Sequence, residues 1–172
     1  MVVLAGCMSP GPYGAAPPYT GPTGSGHATN CVASLPSGNP QIIYEFVSGP
    51  HCDDQTYGDI DGYYFDAAFQ HFEIIQIAKS PTNTIIFSNA DGQDHMNSSL
   101  GIWSGSWPTN GPNPNATPSP QGTDIGSPGW TTGIIAPFAE SRAYVADLPG
   151  IFVIGDPFFY TSNNMRTILI VQ

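Results

Sequence analysis

Apolar residues along this chain come in short β-branched and aromatic runs, separated by proline, glycine and asparagine. Runs of about four to eight such residues, bounded by turn formers, read as strands. The first is Gln41-Ile-Ile-Tyr-Glu-Phe-Val47. A turn-rich acidic loop follows, from Gly49 to Gly62, and Tyr63 to Ile77 then reads as one long or two short strands. Thr84-Ile-Ile-Phe-Ser88 is another. A long Pro/Asn/Gly loop runs from Ser104 to Gly129. Strands resume at Gly133-Ile-Ile-Ala136, Arg142-Ala-Tyr-Val145, Ile151-Phe-Val-Ile154 and Thr167-Ile-Leu-Ile-Val171. No segment sustains the helical period, and 18 prolines with 20 glycines work against long helices. There is no internal repeat. Short strands with recurrent turn signals predict an all-β sandwich or barrel.

Residues from about 8 to 40 have a different pattern. Gly, Pro, Ser, Ala and Thr dominate, and such a composition buries too little apolar surface to fold alone. The expected organisation is a start and flexible tether over 1–40 and a β domain over 41–172. The whole chain, 172 residues, is long enough for one domain with a real core.

Charge changes the picture of where the protein works. Only 9 % of residues are charged, against about 25 % in a typical soluble domain. Solubility must rest on Asn, Ser, Thr, Gln and Gly. The formal net charge is −10, and Lys79, Arg142 and Arg166 are the only basic residues. Without a basic patch, nucleic acid and anionic membrane surfaces are poor partners. A surface of hydroxyls and amides suits an extracytoplasmic setting, periplasmic or at the cell surface. Val3-Leu-Ala-Gly-Cys7 matches a lipobox, in which an acyl chain on Cys7 would anchor the protein to a bilayer. No run approaches the roughly 18 apolar residues of a membrane-spanning helix. With Cys7 set aside, Cys31 and Cys52 remain as an even pair, and in an exported chain that favours a disulfide.

Two segments carry the candidate chemistry. Leu148-Pro-Gly-Ile-Phe-Val-Ile-Gly-Asp-Pro-Phe-Phe-Tyr-Thr-Ser-Asn-Asn-Met165 followed by Arg166-Thr-Ile-Leu-Ile-Val171 reads as strand, loop ending at a methionine, strand. Upstream, Asn83 to His95 reads as a strand and a loop that deliver a histidine. Together they resemble the copper-site segments of the cupredoxins, the blue-copper family. The spacing is nearest to the rusticyanin and sulfocyanin branch. The resemblance implies a Greek-key β-sandwich, with His95 as first imidazole ligand and Met165 as axial thioether. Gly155 then stands where the cysteine ligand belongs, and Tyr160 where the second histidine belongs. A plastocyanin-like register instead puts Asp156 and Phe159 at those positions and leaves Met165 one residue late. A type 1 centre needs a thiolate, and no cysteine follows Cys52. Copper is therefore the cofactor the resemblance implies, and the residues present argue that none is bound.

Other features are weaker. His71 and Met96 lie near the candidate segments. Asp59-Ile-Asp61-Gly62, within an acidic group that includes Asp53, Asp54 and Asp66, looks like half a calcium loop but lacks the later glutamate. Asn97-Ser-Ser99 and Asn115-Ala-Thr117 are glycosylation sequons. No nucleophile elbow, zinc-protease motif or phosphate loop is present, so no catalytic residue is assigned and no enzyme is expected. The expected protein is a non-catalytic, extracytoplasmic, cupredoxin-like binding or assembly module with a degenerate copper site. It would act at the cell surface or within an electron-transfer complex. The alternatives are a copper-binding electron-transfer protein with an atypical site of His95 and Met165 completed by Asp156, Tyr160 or a partner chain, and a structural surface or filament subunit.

Overall fold

The computed structural model describes residues 32–34, 41–46, 52–60, 63–67, 70–72, 74–90 and 92–172. The lipobox with Cys7 and Cys31 lies outside them, so the Cys31–Cys52 pairing does too.

The described strands are β1 (Val32–Ser34), β2 (Gln41–Phe46), β3 (Cys52–Asp54), β4 (Gly58–Ile60), β5 (Tyr63–Ala67), β6 (Gln70–Phe72) and β7 (Ile74–Ile77). They continue with β8 (Ser80–Asn89), β9 (His95–Ile102), β10 (Thr131–Ile135), β11 (Tyr144–Ala146), β12 (Gly150–Gly155) and β13 (Arg166–Val171). One short helix, α1 (Tyr160–Asn163), interrupts the last loop. One sheet runs β1-β7-β13-β12-β9-β10 and a second runs β11-β8-β2-β5-β6. The sheets are mixed: β7 lies parallel to β13 and β2 parallel to β8, while β12 is antiparallel to both β9 and β13.

Alternation along the strands builds the core. Phe152 and Ile154 of β12, Leu169 and Val171 of β13 and Ile75 and Ile77 of β7 face Ile85 and Phe87 of β8 and Tyr144 of β11. This is the interior of a sandwich, with the inward face of each of these strands apolar. The opposite face of the larger sheet is also covered. Val153, Ile168 and Ile74 pack against Tyr57 and Ile60, with Trp103 and Trp107 alongside. Tyr57 and Ile60 belong to the hairpin β3–β4, which pairs Cys52 with Ile60 and Asp54 with Gly58.

Several sequence expectations are adjusted. The acidic loop contains that hairpin, whose turn is closed by Oδ1 of Asp54 accepting from the amides of Thr56 and Tyr57. Asp59 lies in β4, paired with Asp53, so half of the calcium-like motif is strand. Tyr63 to Ile77 divides into three strands. Val32–Ser34, inside the stretch assigned to the tether, joins β7 as a parallel strand. Val32 packs against the outer apolar cluster, which accounts for its order.

Candidate functional site

Strand β12 ends at Gly155, and the next residue, Asp156, organises the loop that follows. Its backbone N–H donates to the Met165 carbonyl at 3.0 Å, and its carbonyl accepts from the amides of Phe159 at 3.3 Å and Tyr160 at 2.8 Å. Its Oδ1 accepts from the Phe158 amide at 2.8 Å. These bonds wind residues 156–163 into a tight turn and α1. Asn164 then adopts a left-handed conformation, φ 52°, and Met165 returns the chain to β13.

The side chain of Asp156 points at the start of β9. Nδ1 of His95 donates to Asp156 Oδ2 at 2.6 Å, with the two residues 3 % and 0 % exposed. The Met96 amide also approaches that oxygen, at 3.4 Å. Phe159 lies over the imidazole, ring centroids 4.9 Å apart and planes inclined by 39°. The result is a buried acid–base pair under an aromatic lid. Removing a carboxylate from water is costly unless it is paired and hydrogen-bonded, and Asp156 is both.

Met165 is buried in the main core, and its amide donates to the Phe159 carbonyl at 3.3 Å. Tyr160 is elsewhere. It packs on the sheet's outer side, where a Cβ added to Gly155 would stand 2.6 Å from its ring and one added to Gly111 would stand 2.9 Å from its Cβ. Its hydroxyl donates to the Pro108 carbonyl at 2.7 Å, and the Arg166 guanidinium sits 5.9 Å from its ring. Burial pushes the Tyr160 phenol above the usual range, and Arg166 opposes that shift. Of the four candidate donors, His95 and Asp156 meet through their side chains, Met165 adjoins them through the backbone, and Tyr160 lies apart. The side chain of His71 is outside the described set.

These contacts bear on the two registers. Asp156 and Phe159 stand at His95, whereas Gly155 is blocked by Tyr160 and Tyr160 faces away. Spacing alone did not separate the two, because neither α1 nor the left-handed Asn164 is signalled by periodicity. The residues present do not fit a type 1 copper centre. Nδ1 of His95 is engaged by Asp156, Phe159 covers the ring, and no cysteine follows Cys52 in the sequence to supply a thiolate from the loop. Among the described residues no group of three or more His, Cys, Asp and Glu could hold a metal ion.

No protein-family model matches the chain, and no curated protein matches it in sequence. Solved structures do. Rusticyanin from Thiobacillus ferrooxidans superposes with a TM-score of 0.50 at 13 % identity, over 86 % of each chain. Auracyanin of Roseiflexus castenholzii gives 0.41 at 14 % identity, over 84 % of this chain and 99 % of its own. The laccase-like multi-copper oxidase CueO of Ochrobactrum gives 0.43 at 8 % identity, over 86 % of this chain and 30 % of its own. The chain is an all-β protein with a cupredoxin-like fold.

Proposed function

We propose that this chain is a non-catalytic, extracytoplasmic, cupredoxin-like protein whose copper site has been replaced by a protein-only ion pair. It serves as a binding or assembly module, with a protein partner at the cell surface or in an electron-transfer complex. The observation that carries the reading is the pair itself: Asp156 bonds His95 Nδ1 at 2.6 Å beneath Phe159. On the plastocyanin-like reading of the loop, a hard carboxylate takes the position of the soft thiolate and an aromatic ring that of the second imidazole, which supports the reading. Location follows from composition: few charges, many hydroxyl and amide groups, and the lipobox at Cys7 as a membrane anchor. Cys31 and Cys52 form the disulfide such a compartment permits. Two alkylatable thiols at these positions in the non-reduced protein would refute the pairing.

Copper titration of the full chain, followed by absorption spectroscopy, tests the functional reading. The expected result is no intense visible charge-transfer band and no stoichiometric uptake. Tight one-to-one binding that His95→Ala abolishes would replace this reading with a copper-binding electron-transfer protein built on an atypical site of His95 and Met165.

A further inference from the structure

Strand β9 carries a second buried polar group on the same face as His95, one pleat further along. Asn97 is 0 % exposed, and both its Oδ1 and its Nδ2 lack a hydrogen-bond partner. Exchanging the amide's oxygen and nitrogen does not help, because both positions are orphaned. The Trp130 indole is also buried and its Nε1–H is unpartnered.

The ladder puts the two groups together. The Ser99 amide donates to the Trp130 carbonyl at 2.9 Å, and the Asn97 amide donates to Thr132 Oγ1 at 2.9 Å. Asn97 therefore sits opposite Thr132 and diagonally across the strand pair from Trp130. The intervening residues, Ser98 and Thr131, bond each other through their hydroxyls on the other face. Alternation then turns Asn97 and Trp130 inward. Trp130 confirms that direction by stacking on Phe87 and Tyr144 of the opposite sheet, at centroid distances of 5.4 and 5.1 Å. Thr132 Oγ1 already donates to the Gly133 carbonyl, so it cannot supply the missing donor.

Buried amides and indoles are almost always satisfied by protein or by ordered water. An internal water needs two to four polar partners, and these two side chains, diagonal neighbours on the inward face of the strand pair, offer two donor atoms and an acceptor. We propose that the sandwich interior between β9 and β10 is a binding site for internal water, held by the Asn97 carboxamide and the Trp130 indole beneath the His95–Asp156 pair. The water accepts from Trp130 Nε1 and from Asn97 Nδ2 and donates to Asn97 Oδ1.

The test is proton NMR of the ¹⁵N-labelled full chain. Asn97 Hδ2 and Trp130 Hε1 should each show a cross-peak at the water frequency, with the sign of a water held longer than molecular tumbling. Asn97→Leu, similar in volume but without polar atoms, should abolish the cross-peak at Trp130 Hε1. Should that variant not fold, the native spectrum still decides. The absence of both cross-peaks in the folded protein, or an indole cross-peak unchanged in Asn97→Leu, overturns the proposal.

Discussion

Asp156 is a fully buried carboxylate held by three donors: His95 Nδ1, the Phe158 amide and, more distantly, the Met96 amide. Removing one member of such a pair leaves the other buried without compensation, which costs about 3–5 kcal/mol. Asp156→Ala should lose that much in urea unfolding. Asp156→Asn should lose less, since its amide oxygen can still accept from Phe158 and its nitrogen can donate to a neutral imidazole. A loss of less than about 1 kcal/mol in Asp156→Ala would mean that the pair contributes little. Gly155 next to it makes a steric prediction. A Cβ there would stand 2.6 Å from the Tyr160 ring, so Gly155→Ala should cost about 1–3 kcal/mol through overpacking. The cost should shrink in a Tyr160→Ala background, because contacting residues are not additive. Equal costs in both backgrounds would show that the clash is not the cause.

The unit formed by β12, the loop and β13 places Asp156 and Phe159, not Gly155 and Tyr160, around His95. Its prediction is a pair of double variants. Asp156→Cys with Phe159→His should give an intense visible band on loading with copper(II), because a thiolate and a second imidazole then stand beside His95. Gly155→Cys with Tyr160→His should not, since the cysteine would point at the outer face. The reverse result would overturn the register. Much of this unit was legible in the sequence: the apolar, largely β-branched runs Ile151 to Ile154 and Thr167 to Val171 mark both strands, and Met165 marks the loop's end. Strand β9 was harder to see. His95-Met-Asn-Ser-Ser99 carries polar residues on both faces yet lies between β12 and β10, with residues 95–98 all buried. A buried polar strand gives no hydrophobic alternation to read. The three-residue strands β3 and β4 are too short for any period, and the tertiary contact of their hairpin with Val153 and Ile168 helps to stabilise them. The ion pair escaped because it joins residues 61 positions apart.

At the scale of the whole molecule, three tyrosines among the described residues bear on stability at alkaline pH. Burial pushes the phenols of Tyr57, Tyr144 and Tyr160 above their usual range, with Asp54 adding to the shift at Tyr57. The folded protein keeps these protons to higher pH than the unfolded chain, whose phenols titrate near about pH 10. Above that pH the unfolded state binds fewer protons, so stability falls as pH rises. Thermal unfolding should therefore show a declining Tm beginning near about pH 10, shallower in Tyr57→Phe. A flat profile, or one the substitution leaves unchanged, would contradict it. The other whole-molecule question is where the domain begins. Composition set the boundary at residue 41, yet β1 pairs with β7 from Val32 to Ser34, and Val32 packs on the cluster beneath the β3–β4 hairpin. Two truncations in a Cys52→Ser background, where no Cys31–Cys52 bond can contribute, separate the two boundaries. Removing residues 1–30 should leave Tm nearly unchanged, because that stretch is dominated by residues that bury little. Removing residues 1–40 deletes β1 and should lower Tm by about 2–4 °C for each kcal/mol that the strand contributes. Equal melting temperatures for the two truncations would return the boundary to residue 41 and make β1 dispensable. A large loss already on removing residues 1–30 would instead show that the Gly/Pro-rich stretch packs on the sandwich.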